Sequence, residues 1–176
     1  MRAAMENARK HATGKNIIGV EVGVDQGIHA WEILNQWEEV SMLHLVDNYS
    51  TRSWKNYGDA RLKLEMFKNR IHWHILPSVE AALLFDDSSL DFAYIDASHG
   101  YEDVLLDCIR WWAKIKDGGV LCGHDYRLDW HNMKEQSPAW KNAHGVVRAV
   151  NEFAEINKLK LGTKTDGSSS DWWIIK

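Results

Sequence analysis

The sequence predicts an α/β domain: a doubly wound, mostly parallel sheet of seven strands with one antiparallel strand and helices on both faces. Three observations predict it. Short apolar runs ending in a glycine, a proline or an acid alternate five times with segments of helical periodicity, the order that builds successive βα units. Two further apolar runs near the C-terminus are joined by the Gly/Ser-rich stretch 166–170, so a hairpin adds the antiparallel strand. The chain has 176 residues, 45% of them apolar, which is one domain with enough apolar surface for a core.

Residues 1–15 are polar and slightly basic, and 2–11 read as a helix lying over one end of the sheet. A transit peptide is the weaker reading of this extension, because Glu6 interrupts it. The main α/β domain is expected over 16–176. Ile17–Val22 is a short apolar run ending in Gly23 and reads as a buried strand. Over 27–37, Ala30, Ile33, Leu34 and Trp37 share a helical face. A second strand is expected over 41–46. Asp59 caps a helix running to 69, a third strand covers 71–76, and Ser78 caps a helix to about 85. Leu90–Ile95 is the fourth strand. The helix 101–115 buries Val104, Cys108, Trp111, Trp112 and Ile115, with acids in its first turn and lysine in its last, as the helix dipole favours. Gly118-Gly119 turns the chain into a fifth strand over 120–123. Residues 126–142 read as a long loop, Val146 to Phe153 as a helix, and 159–164 and 172–175 as the closing hairpin.

Composition excludes several classes. No apolar run approaches the roughly 18 residues of a membrane span. Cys108 and Cys122 are too few for a disulfide scaffold and read as buried thiols in a reducing compartment, so a cytoplasmic location is expected. A net charge of −4 argues against binding held mainly by nucleic-acid phosphates.

The polar residues fall in an informative place. Glu21, Asp47, Asp96 and Asp125 each stand at or just after the end of a predicted strand, and in a parallel sheet these ends share the edge where ligands bind. Taken singly each has a bland reading: a loop carboxylate for Asp47, a helix cap for Asp96, a solvated turn for Asp125. Four carboxylates on one edge need compensation from hydroxyls, an ammonium group, a cation or water. The run Glu21-Val-Gly23-Val-Asp-Gln-Gly27 does not match the G-x-G-x-x-G of dinucleotide sites, and Asp25 would repel a phosphate. No P-loop lysine follows. Glu21 and Gly23 suit an amine, and Asp47 suits both hydroxyls of a ribose. A nucleoside carrying an amino acid and no phosphate is S-adenosylmethionine.

Two stretches carry a family resemblance. Ile18-Gly-Val-Glu21-Val-Gly23-Val-Asp-Gln-Gly27 resembles the E-x-G-x-x-x-G motif of class I S-adenosylmethionine-dependent methyltransferases. Tyr94-Ile95-Asp96-Ala-Ser-His99-Gly-Tyr101-Glu102 and Gly118-Gly119-Val-Leu-Cys-Gly123-His124-Asp125-Tyr126 resemble the signatures of the methyltransferase 24 group, related to macrolide-sugar O-methyltransferases. The resemblance extends over roughly 16–176. It implies a Rossmann-like methyltransferase fold, with Glu21, Gly23 and Gly27 around the methionine part of the cofactor and Asp47 on its ribose. It also implies a divalent cation, magnesium or manganese, on Asp96, His124 and Asp125. Here His124 stands where relatives often carry a second acid, a donor more natural for Mn²⁺, Fe²⁺ or Zn²⁺ than for Mg²⁺. Pro77 stands where many relatives carry an acid for the adenine amine, which leaves Ser78, backbone groups or apolar walls to recognise the base.

Methyl transfer to a hydroxyl requires an aligned nucleophile and a base. His99, with an ordinary pKa near 6.5, is the expected base; its bland reading is a helix-start residue bonded to a carboxylate. Trp130, His131 and Trp140 are candidates to stack on an acceptor, or equally to be core. The expected partners are a small-molecule or glycan acceptor, and a second subunit could cover the cleft. The rival function is a non-catalytic S-adenosylmethionine-binding module or regulatory subunit.

Overall fold

The computed structural model describes residues 1–50, 54–126, 138–166 and 169–176. Helix α1 (Ala3–His11) precedes β1 (Ile17–Val22), α2 (Ile28–Gln36), β2 (Val40–Val46) and α3 (Trp54–Leu64). A 3₁₀ segment, Glu65–Arg70, leads into β3 (Ile71–His74), and the short α4 (Ser78–Ala81) into β4 (Leu90–Ile95). Then follow α5 (Tyr101–Lys114), β5 (Ile115–Gly123), α6 (Pro138–Ile156), β6 (Leu161–Asp166) and β7 (Ser169–Ile175).

The seven strands lie in the order β3-β2-β1-β4-β5-β7-β6. β7 runs antiparallel to both β5 and β6, and the other pairings are parallel. This is the doubly wound sheet expected, with the order of strand addition reversing between the parallel neighbours β1 and β4. Each face is covered by its own core. On one, Trp111, Phe153 and Trp172 pack with Val20 and Ile95; on the other, Trp37, Phe92 and Tyr94 pack with Met5, Ile33 and Leu43. β1 and β4 face both cores, which is why their sequences show no polar alternation. Cys108 and Cys122 are both buried free thiols.

Five local expectations need correction. Helix α3 begins at Trp54, five residues before the expected Asp59 cap. Ser78 does not cap α4; Pro77 precedes the helix, and the Ser78 hydroxyl is drawn away to the side chains of α5. β5 begins at Ile115, with a register irregularity before Val120 where Gly118 takes φ +82°, and α6 begins at Pro138, inside the segment read as a loop. Trp130 and His131 lie outside the described residues, as does the side chain of Trp140. α1 is also more deeply engaged than a surface helix: Ala4, Met5 and Ala8 are fully buried. The Ala4 N–H donates to Asp171 Oδ2 of β7 at 3.0 Å, a side-chain cap supplied from 167 residues away.

Candidate active site

The strand register assembles the site in one row. Val22 pairs with Val46 and Ile95, and Ile95 pairs with Gly123. The next residue of each strand therefore leaves the sheet side by side: Gly23, Asp47, Asp96 and His124. Their backbones extend the ladder by one rung, with Gly23 N–H on Val46 O (2.8 Å), Asp96 N–H on Val22 O (2.8 Å) and His124 N–H on Ile95 O (3.2 Å). Gly23 is required here. Its φ is +90°, and a Cβ would stand 2.1 Å from the Asp96 carbonyl oxygen.

A cleft of about 540 Å³ opens over this row, within the range of small-molecule sites. Gly23, Asp25, Asp47, Asn48 and Asp96 form its polar side, and Leu76, Pro77, Val79 and Leu106 its apolar wall. Of the sequence-predicted cofactor residues, Gly23, Asp47, Ser78 and Asp96 line it. Glu21 and Gly27 do not. Glu21 is 1% exposed, and its Oε1 meets His29 Nδ1 at 3.0 Å. Burial pushes the Glu21 carboxyl up and His29 down to about 3, so the pair is held neutral. The expected rim carboxylate is thus a buried acid, because its side chain turns into the protein behind the strand end. Gly27 begins α2 with φ +69°, and its missing side chain makes room for Ala60 and Leu64 of α3, so it serves helix packing.

Asp47 organises the loops around it. Its Oδ2 accepts the N–H groups of Val24 (2.9 Å) and Asp25 (3.0 Å), and its Oδ1 that of Tyr49 (2.9 Å). Oδ2 is thereby filled, while Oδ1 retains a lone-pair direction for a further donor. Ser78 donates to Asp107 Oδ1 and accepts Trp111 Nε1–H at 2.8 Å. Burial pushes Asp107 up to about 6, with Asp103 adding to the rise and the Ser78 hydroxyl opposing it. Asp107 and Asp103 also line the cleft and escaped the sequence reading. A signal existed: Asp107 interrupts the buried stripe of α5 between Val104 and Trp111.

Beyond Asp96 the charges interlock. Arg2 Nη1 meets Asp96 Oδ2 at 2.8 Å and the Tyr94 hydroxyl at 2.5 Å. Nothing in the sequence flags Arg2, which reaches the site because α1 packs beneath β5 and β7. His99 Nε2 lies 2.9 Å from Asp125 Oδ2 and 3.8 Å from Asp96 Oδ1, a close ion pair rather than an aligned hydrogen bond. These carboxylates raise His99 to about 10 against the opposing effect of burial. His99 is therefore an imidazolium at neutral pH, and the expectation of an ordinary pKa fails because two anions flank the ring. Burial works against ionisation of Asp96 and Asp125, but contacts with His99, together with Arg2 at Asp96 and His124 at Asp125, outweigh it and hold both low.

Asp96, His124 and Asp125 each offer a ligand atom within 4.8 Å of the others. This oxygen–nitrogen–oxygen set fits a divalent cation. Asp125 adopts φ +58°, an uncommon conformation for an aspartate, which marks a constrained position. The other nitrogen of His124, Nε2, faces Asp171 Oδ1 at 3.8 Å, a fully buried oxygen with no hydrogen-bond partner among the described residues. At that separation the two are not hydrogen-bonded, so Asp171 stands behind the His124 ring without accepting its N–H.

Comparison with known proteins defines the class. Residues 20–126 match the model of the methyltransferase 24 family, described as a methyltransferase domain. That is well over half of the chain, and the chain belongs to this family of class I S-adenosylmethionine-dependent methyltransferases. Its fold is shared by solved structures of low sequence identity. A methyltransferase of Podospora anserina, solved with SAH bound, is 11% identical with a TM-score of 0.72, over 97% of this chain and 74% of that one. The O-methyltransferase of Bacillus cereus, in complex with SAH, is 14% identical with a TM-score of 0.66, over 98% and 88%. The precorrin-6y C5,15-methyltransferase of Geobacter metallireducens is 16% identical with a TM-score of 0.64, over 98% and 88%. At these identities the likeness establishes the fold alone. No curated protein sequence matches. Among the described residues no helix is long and apolar enough to cross a membrane.

Proposed function

We propose that this enzyme transfers a methyl group from S-adenosylmethionine to a hydroxyl of a small-molecule or sugar acceptor in the cytoplasm. The observation that carries the reading is the cleft over the strand row, with a glycine floor at Gly23, carboxylates at Asp47 and Asp96, and an apolar wall at Leu76 and Pro77. Asp47 takes the ribose hydroxyls, Gly23 and Asp96 face the amino-acid part, and adenine lies against Leu76, Pro77 and Leu106. Ser78 shapes the adenine end through Asp107 and Trp111, since its hydroxyl already serves both. Glu21 acts from behind the cleft: with His29 it forms a neutral floor beneath Asp96. Residues 16–176 carry the cofactor site, and 1–15 brace it through Arg2 and Ala4.

The reaction is a displacement at a methyl carbon already activated by the sulfonium. What the chain supplies is alignment, exclusion of water, and removal of the acceptor proton. His99 accepts that proton in its neutral form, so turnover rises with pH as the His99–Asp125 pair releases its own proton. Asp96, His124 and Asp125 would hold a divalent cation, with Mn²⁺ suited to the mixed donor set; bound there, it would lower the pKa of the acceptor hydroxyl. The direct test is calorimetric titration with SAH. Saturable binding by the wild-type chain, lost in Gly23→Val, supports the reading; equal binding by both proteins overturns it.

A further inference from the structure

Three histidines outside the cofactor cleft form a cluster that the methyltransferase reading leaves unused. His72 and His74 alternate along the edge strand β3 and so project from the same face; His44, on neighbouring β2, is the register partner of His72. His44 Nδ1 and His74 Nε2 stand 2.9 Å apart. The ring centroids are separated by 4.7 Å (His72–His74), 5.2 Å (His44–His74) and 5.8 Å (His44–His72). Three imidazoles on one tetrahedral ion, with metal–nitrogen bonds of about 2.0–2.1 Å and ring centres about 1.1 Å further out, would have centroids about 5.2 Å apart. The observed triangle brackets that value, although nitrogens of all three rings do not lie within 4.8 Å of one another as the ligand atoms of Asp96, His124 and Asp125 do.

We propose that His44, His72 and His74 form a binding site for a borderline transition-metal ion such as Zn²⁺, Ni²⁺ or Co²⁺, separate from the carboxylate site at the sheet edge above. The donor set is purely imidazole, which suits these ions and not Mg²⁺ or Ca²⁺. His44 Nδ1 and His74 Nε2 are hydrogen-bonded at 2.9 Å, and opening them to the about 3.3–3.4 Å of two ligands on one tetrahedral ion would let the metal replace that bond. His72 is exposed and turns about its side-chain torsions to bring in the third nitrogen from the solvent side. The Phe85 ring packs edge-on to His44 at 4.8 Å and lies 5.3 Å from His74, forming an apolar wall that fixes both rings. Burial and the neighbouring imidazoles hold His44 down at about 4 and His74 below its ordinary value, so both are neutral, the ligating form, at physiological pH. The fourth position opens to solvent and takes water.

The test uses untagged full-length protein at pH 7.5, titrated with Zn²⁺ by calorimetry and with Co²⁺ by visible absorption. The wild type is expected to take up one equivalent that the double variant His44→Gln/His74→Gln loses and that Asp96→Asn/Asp125→Asn retains. His72→Ala is expected to weaken the same equivalent and to alter the Co²⁺ spectrum. Long-range ¹H–¹⁵N spectra of the wild type provide a readout that needs no variant: Zn²⁺ should shift the ring nitrogens of His44, His72 and His74 together. The proposal is overturned if the wild type binds only the equivalent that the Asp96/Asp125 variant loses, if the double histidine variant binds as the wild type does, or if Zn²⁺ leaves these three ring signals unmoved. Because the cluster lies outside the cofactor cleft, failure here leaves SAH binding unaffected.

Discussion

Replacing Asp47 probes the site and the fold together. Its carboxylate accepts three backbone N–H groups, from Val24, Asp25 and Tyr49. Those of Val24 and Tyr49 are partly buried. A hydrogen bond to a charged group contributes about 1.5–3 kcal/mol, so Asp47→Ala should cost at least about 3 kcal/mol from these two donors. For a chain of this length that corresponds to a fall in Tm of about 6–12 °C. Asp47→Asn keeps one acceptor oxygen but turns an NH₂ toward a backbone donor, so it should lie between alanine and wild type. Differential scanning calorimetry reads the stability, and titration with SAH reads the ribose role. Both variants should bind SAH more weakly than the wild type. Unchanged melting of the alanine variant would refute the loop-organising role. Reduced melting with unchanged SAH affinity would leave Asp47 purely structural and remove it from the cofactor site.

Further outcomes follow from the same geometry. Gly145→Ala would place a Cβ 2.0 Å from the His99 carbonyl oxygen, so it should push the His99 loop off α6 and lower turnover, measured by methyl-transfer assay, more than it lowers SAH affinity. Ser78→Ala strands the indole N–H of fully buried Trp111 and removes the donor that lowers Asp107; unfolding should become easier by about 1–3 kcal/mol, and the Asp107 pKa, followed by carboxyl NMR, should move above about 6. The His99 cluster makes stability depend on pH at both ends. Because the folded pKa of His99 is raised to about 10, its contribution is fully present below about 6.5 and is lost as pH rises toward 10. Asp96 and Asp125 are depressed, so theirs is present above the ordinary carboxylate range and is lost as pH falls below it. In Asp125→Asn the His99 ring titration, read by NMR, should move well down toward 6.5, and the alkaline loss of stability should shrink with it.

The doubly wound sheet was legible because β1 and β4 are buried on both faces and are apolar but for Gly19, Glu21 and Asp91, while α5 shows its buried stripe in plain periodicity. Of the expected row Glu21, Asp47, Asp96 and Asp125, the placement of Asp47 and Asp96 was legible for a related reason: parallel strands bring their C-terminal ends to one edge, so position in the sequence becomes position in space; in the structure the row runs through Gly23 and His124 at its two ends. Side-chain direction was not legible. Glu21 stands one residue before the end of β1, whereas Asp47 and Asp96 follow their strands, and its side chain turns inward to His29, a pairing that depends on where α2 packs. Arg2 reaches Asp96 across 94 residues of sequence, and no local pattern predicts such a contact. The pKa of His99 depends on two carboxylates from different strand ends, one of them, Asp125, in an uncommon backbone conformation.

The central claim is that the strand-end row cradles an adenosyl ligand. A crystal structure of the SAH complex tests it most directly. Density for the ligand along Gly23, Asp47 and Asp96, with its ribose on Asp47, is the predicted result. SAH bound at another surface, or absent from the cleft at saturating concentration, would contradict it.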